Sequence, residues 1–167
     1  MAGRITASES QLRPDARYHS KLVAKFINCL MWDGKKTAAQ AIMYDAMDLI
    51  DEKLKGLPAD QAEGAPENAL GVFEMAIENV KPHLEVRSKR IGGANYQVPM
   101  QVNPKRRQAL AFRWIITATR AEKGRPMAGR LADEIFAAAR GEGKAMSTRE
   151  QTHRMAEANK AFAHFAY

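Results

Sequence analysis

The chain of 167 residues is poor in several things, and each shortage removes a class of protein. A single cysteine, Cys29, rules out an internal disulfide and leaves no basis for a thiolate metal cluster, which fits a reducing, cytoplasmic compartment. Apolar runs such as Ala109-Leu110-Ala111-Phe112 and Phe136-Ala137-Ala138-Ala139 stop far short of the roughly 20 residues needed to cross a bilayer, so no membrane role is expected. The first ten residues hold no apolar segment of signal-peptide type, and Glu9 is out of place in a transit peptide. Eleven Gly and seven Pro are an ordinary share, which excludes collagen-like and low-complexity chains. Length and a 46% hydrophobic content predict one packed domain spanning 1–167.

Enzyme motifs are missing as well. Asp33-Gly34-Lys35-Lys36-Thr37 has part of the look of a phosphate-binding loop, but Cys29 stands where the first Gly belongs and Lys36 where a hydroxyl residue must follow the Lys. The turn nevertheless leaves Lys35 and Lys36 beside free helix-terminal amides, a place for backbone phosphates. His19, His83, His153 and His164 are scattered without His-Glu-x-x-His spacing, so neither a metal nor any other cofactor is expected. Cys29 lies beside an apolar stripe and reads as a small buried hydrophobe. The acidic pairs Asp48/Asp51 and Glu74/Glu78 read as solvated surface, and Trp32 and Trp114, both at core spacing, as packing residues.

What the chain does have is positive charge in one place. Of 26 Lys plus Arg, 12 fall in residues 81–130 against two acids, a net +10. Residues 1–36 carry net +4, residues 37–80 net −7, and residues 131–167 are neutral. Ordinary surfaces intersperse the signs, so this segregation is the footprint of a surface for a polyphosphate.

Periodicity supplies the frame. Leu22, Val23, Phe26, Ile27, Leu30 and Met31 form one helical stripe, closed by Asp33-Gly34. A second helix is expected from about Thr37 to Gly56, with Ala38, Ala41, Ile42, Met47, Leu49, Ile50 and Leu54 inward; the stretch from Gly56 to Pro66 reads as a loop. A third helix is expected near Pro66, ending at Pro82, with Leu70, Phe73, Ile77 and Val80 inside. Alternation then takes over in residues 84–102, broken by Gly92-Gly93-Ala94-Asn95, which predicts a β-hairpin. Pro99 removes a ladder donor, which suits a protruding ribbon. Asn103-Pro104 opens a helix to about Arg120, Pro126 another, and Ser147 with Glu150 has the form of a capping box for the last, striped by Met155, Ala158, Phe162 and Phe165. The expected fold is all-α, about six helices with a protruding two-stranded arm at 84–102 and an N-terminal extension at 1–14.

The basic residues sit on these elements in a usable order. Arg87, Lys89 and Arg90 cluster near the Gly92-Gly93 tip with Tyr96 just beyond, a combination able to supply bidentate phosphate contacts and a stacking face. Arg106, Arg113 and Arg120 recur every seven residues and share a narrow helical stripe. Lys105 and Arg107 thicken it, and Lys123, Arg125 and Arg130 continue it. With no zinc finger, leucine zipper or aromatic RNA-recognition motif, shape-dependent binding of structured RNA is the reading these features favour. The alternative is a free-standing helical nucleic-acid-binding regulator, although no heptad seam for a dimer is apparent.

Particular strings carry a resemblance. The stretch Leu22 to Phe26, then Asp33-Gly34-Lys35-Lys36, Glu78-Asn79-Val80-Lys81-Pro82, Gly92-Gly93, Tyr96-Gln97-Val98-Pro99, Arg106-Arg107-x-Ala109-Leu110, Arg113-Trp114-Ile115 and His153 through His164 resemble, in order and spacing, the bacterial-type family of the seventh protein of the small ribosomal subunit. The match spans about Leu12 to Phe165. It implies a non-enzymatic helical bundle with a projecting hairpin, resident in the cytoplasm within the small subunit. Such a protein binds the 3′ major domain of small-subunit rRNA, nucleates assembly of the head, and lies near the decoding centre. The resemblance places Lys35, Lys36, Arg87, Lys89, Arg90, Arg106, Arg107 and Arg113 on the rRNA. It places Gly92, Gly93, Arg149, His153, Arg154 and Lys160 toward exit-site tRNA, mRNA and neighbouring head and platform proteins, the ninth and eleventh. Two departures stand out: Thr6 to Gln11 is nearly neutral, limiting an N-terminal RNA anchor to Arg4, Arg13 and Arg17, and the acidic loop 56–66 is longer than usual.

Overall fold

The computed structural model describes residues 12–56 and 66–166. The helix order is α1 (Lys21–Leu30), α2 (Lys36–Lys55) and α3 (Ala69–Val80), then the hairpin β1 (Leu84–Ile91) and β2 (Ala94–Gln101), then α4 (Pro104–Ala121), α5 (Met127–Ala139) and α6 (Lys144–Ala158), with a closing 3-10 segment at Lys160–Ala166. The expected all-α fold with a two-stranded arm is what forms. Most of the expected 56–66 loop, and residues 1–11 of the extension, lie outside the described residues.

One apolar core joins the helices. Phe26 of α1 stands at its centre, fully buried, edge-on to Phe73 of α3 and to Phe112 of α4 with both centroids at 5.2 Å. Edge-to-face rings of this kind add attraction beyond their burial. The buried face of α2 is Ala39, Met43, Ala46, Met47 and Ile50, about one residue round from the expected face; Ala38 and Ala41 are exposed.

Helix ends depart from the sequence reading in instructive ways. Asn68 caps α3, its Oδ1 accepting from the Gly71 N–H at 2.8 Å, so Pro66 lies before the helix and not in its first turn as expected. Ser147 and Glu150 lie inside α6 and cap nothing. The helix begins at Lys144 after Gly143 (φ 96°), and its first turn is satisfied from α5, where Glu134 Oε1 accepts from the Ala145 N–H at 2.7 Å. In return Asn79 of α3 donates to the last α5 carbonyls, Ala138 and Ala139, at 3.0 and 2.9 Å. α6 stops at Ala158, so Phe162 and Phe165 do not continue its stripe, and Met155 is 52% exposed.

Two acidic readings also change. Asp51 accepts from the Ala69 N–H at 2.8 Å, tying α2 to the start of α3, and Asp48 is paired with Arg17, so neither is merely solvated. Upstream, buried Asp15 accepts from the Tyr44 hydroxyl at 2.7 Å and from the Arg17 and Tyr18 amides. Burial alone would raise this carboxyl, but those hydrogen bonds outweigh it and hold it below its ordinary 3.8.

Candidate nucleic-acid interface

The hairpin is a two-residue-loop ribbon. Gly92 and Gly93 both have positive φ, 57° and 90°, the combination that a type I′ hairpin turn needs and that glycine adopts most easily. The register pairs Arg87 with Val98, Lys89 with Tyr96 and Arg90 with Asn95. Because facing residues share a side, Arg87, Lys89 and Tyr96 lie on one face and Arg90 on the other. The expected basic cluster is therefore split across the ribbon.

The face bearing Tyr96 is covered by the chain's own end. Tyr96 lies against Phe162 and Phe165, with centroids at 5.2 and 5.6 Å, and Lys89 Nζ donates to the Phe165 carbonyl at 2.7 Å. Tyr96 is thus engaged within the protein. Its sequence signal, an aromatic beside cations, does not distinguish that packing from a stacking platform.

At the hairpin root, Glu85 is only 8% exposed and faces two cations. Its Oε1 accepts from Arg87 at 2.5 Å and its Oε2 from Arg106 Nε at 3.1 Å. A buried carboxylate needs such partners, and here they join β1 to the first turn of α4. Asn103 caps that turn, accepting from the Arg106 N–H at 2.9 Å, and Arg107 Nε donates to the Val102 carbonyl.

At its other end α4 reaches the α1–α2 turn. Arg120 donates to the Leu30 carbonyl at 3.0 Å, with its guanidinium 4.9 Å from the Trp32 ring centroid. Trp32, expected in the core, lies past the end of α1 and is 66% exposed; Cys29, expected to be buried, is exposed too. Trp114 is half-buried against the core, as expected. The 18 residues of α4 span about 27 Å, so the stripe Arg106, Arg113, Arg120 runs from the hairpin root to the Lys35-Lys36 turn.

Partners then sort the cations. Lys35, Lys36, Arg90, Lys105, Arg113 and Lys123 are exposed and, among the described residues, form no salt bridge. Arg125 is held by Glu122 and by Asp133 at 2.7 Å, and Asp133 also pairs with Lys53. Burial would raise the Asp133 carboxyl, but these two cations keep it below the usual range. Arg130 is half-buried and donates to the Thr119 carbonyl. The continuation past α4 is therefore carried by Lys123 more than by Arg125 or Arg130. Sequence reasoning missed Glu85 and Asp133, single acids whose role depends on a cation brought from a distant element, Arg106 for Glu85 and Lys53 for Asp133.

A second region lies between the hairpin root, α6 and the 3-10 segment, around a cleft of about 750 Å³ lined by His83, Gln101, His153, Glu157 and Lys160 among others. The His83 N–H donates to His153 Nε2 at 3.1 Å, and the two rings stack at 6.0 Å. Burial first, then the charges of Arg149 and His83, push the His153 imidazole below its ordinary 6.5. Arg154 is exposed and Arg149 half-buried on the same helix. Among the described residues no group of His, Cys, Asp and Glu is placed to hold a metal, and no helix is long and apolar enough to cross a membrane.

Comparison with known proteins agrees with this architecture. Residues 2–160 match the family model described as ribosomal protein S7p/S5e. The chain is 59% identical over 165 residues to the small ribosomal subunit protein uS7 of Rhodopirellula baltica, covering 99% of each chain. It is 54% identical to that of Thermotoga neapolitana, over 98% of this chain and 99% of the relative. Against that of Methylocella silvestris it is 48% identical over the full length of both. With matches of that extent at that identity, the chain belongs to the ribosomal protein S7p/S5e family.

Proposed function

We propose that this chain is a non-catalytic structural component of the small ribosomal subunit, in the cytoplasm, that binds small-subunit rRNA through the surface running along α4. The observation that carries this reading is the anchored stripe. Arg106 and Arg120 are tied to β1 and to the end of α1, while Arg113 between them and Lys35, Lys36, Lys105 and Lys123 around them have no acidic partner among the described residues. A stripe of cations about 21 Å long on one helix, flanked by a ribbon, suits the phosphate backbone of a folded RNA, where charge-assisted contacts position the protein without reading a base sequence. The acidic block falls mainly on α2 and α3, away from this stripe in the sequence.

The family resemblance supports finer roles, which belong to the same proposal. The RNA would be the 3′ major domain, with the protein nucleating head assembly as one RNA-binding unit. The hairpin tip Gly92-Gly93 and the α6 side, with Arg149, His153, Arg154 and Lys160, would face exit-site tRNA, mRNA and the ninth and eleventh proteins of the subunit. Exposure of the tip and of Arg154 and Lys160 is compatible with that placement.

The test is a comparison of the full chain's affinity for a 3′ major-domain transcript with its affinity for duplex DNA of equal charge at matched salt. Tighter binding to the transcript at every salt concentration is expected. Equal affinities would replace this reading with a general nucleic-acid-binding one.

A further inference from the structure

We propose that Trp32 and Arg120 form a stacking site for one unpaired nucleobase of the bound RNA, with Lys35 and Lys36 placed for the phosphates beside it; the inference rests on the RNA-binding reading above. Its starting point is a side chain in an unexpected place. Trp32 is the most exposed of the large apolar residues described, at 66%. Leaving so large an aromatic surface in water forgoes stabilisation that burial would provide.

The geometry around the ring is ordered. The turn that presents Trp32 is closed by Lys35 N–H donating to the Trp32 carbonyl at 2.9 Å and Lys36 N–H to the Gly34 carbonyl at 2.8 Å. Asp33 and Gly34 take positive φ of 52° and 71° to make it. Arg120 is held by its hydrogen bond to the Leu30 carbonyl, which fixes its guanidinium over the indole. Beside the pair is a recess of about 220 Å³ with apolar walls from Leu30, Ala38, Ile42 and Met127. A preset aromatic face, a preset guanidinium plane and an apolar recess suit a flat ligand with a π surface. Lys35, Lys36 and Arg120 outnumber the nearby Asp33, which favours a ligand carrying negative charge. A base splayed from single-stranded or looped RNA meets both requirements, since unstacked bases pack on aromatic rings and Arg planes while phosphates meet the cations. An apolar protein segment would meet only the first.

The chain's two tryptophans make the site observable. In Trp114→Phe protein, Trp32 is the sole indole, and its emission is followed while the rRNA transcript is added. Quenching on binding, with loss of access to acrylamide, is expected. Trp32→Ala should weaken binding by about 5- to 140-fold, the range for losing one base–aromatic stack. Its salt slope should be unchanged because no charge is removed, and Trp32→Phe should recover most of the affinity. If Trp114→Phe does not fold, fluorotryptophan resonances of the unmodified chain, assigned with Trp32→Phe, give the same readout. Trp32 emission and accessibility unchanged at RNA saturation, or Trp32→Ala binding as tightly as the parent, overturns the site while leaving the RNA-binding reading intact. A parent chain that does not bind the transcript overturns both.

Discussion

Glu85 Oε2 accepts a hydrogen bond from Arg106 Nε at 3.1 Å, so a nearly buried acid in the middle of the most basic part of the chain fastens the hairpin to α4. Its other oxygen holds Arg87, so one carboxylate orients two of the cations assigned to RNA.

Replacing Glu85 by Ala leaves both guanidiniums without their acceptor and opens a small void at the hairpin root. Because Arg87 and Arg106 are partly exposed and regain water, the cost is at the modest end for charged hydrogen bonds, about 1–2 kcal/mol. Urea unfolding would show it as a lower midpoint, accompanied by faster amide exchange in β1 and β2 than in α1. A midpoint equal to the parent's would mean the clamp contributes nothing.

Arg113 and Arg125 are both exposed, but among the described residues only Arg125 has acids on it. Arg113→Ala is expected to lower the slope of log affinity against log salt by about 0.7–0.9, one phosphate contact. Arg125→Ala should change it far less, since binding RNA through Arg125 first requires release from Glu122 and Asp133. Salt titrations of the two variants side by side decide this, and equal slopes would refute the sorting of cations by partner.

The first turn of α6 depends on a side chain in another helix. Glu134→Ala removes the acceptor for the Ala145 N–H and should cost about 1 kcal/mol, the usual loss when a helix cap is deleted. Glu134→Gln keeps an acceptor and should cost less. Thermal melts of both variants, read by circular dichroism, would establish the order.

The contact between the hairpin root and α6 should weaken in mild acid. His153 Nε2 accepts the His83 N–H only when it is unprotonated, and its pKa in the folded chain lies below 6.5. Below that value the unfolded chain binds more protons than the folded one, so the stabilisation is present above about pH 6.5 and is lost as pH falls through the folded value. The charges that act on the ring are those of Arg149 and His83, and Glu157 and Lys160 line the same cleft. After correction for the intrinsic rate, exchange protection at the His83 amide should fall between pH 7 and pH 5, with a loss of about 1 kcal/mol or less. Protection that does not change with pH would contradict this, and His153→Ala should lack the pH dependence.

Much of this molecule was legible before folding was considered, and the reason is locality. The stripe from Leu22 to Met31, the Asn103-Pro104 start of α4 and the Gly92-Gly93 turn are signals contained within a few residues, and each is where the structure has it. The readings that failed depended on distant partners. Ser147 and Glu150 have the right form for a cap, but Glu134 already satisfies the helix from 11 residues away, so α6 starts earlier. The surroundings of Tyr96 are likewise set at a distance, by Phe162 and Phe165 packing against its ring. Trp32 sits at core spacing, yet α1 ends two residues before it and the turn carries it outward.

By itself, the order of residues determined the six α-helices of the described residues, the hairpin and the block of positive charge, because backbone propensity, apolar period and net charge are properties of short stretches of chain. Only the tertiary structure decided which cations are available. Arg120 is tied to a carbonyl 90 residues away, and Lys53 meets Asp133 across 80. Pairings at such separations are set by how helices pack, and packing alone left Arg113 with no acidic partner among the described residues and Trp32 exposed.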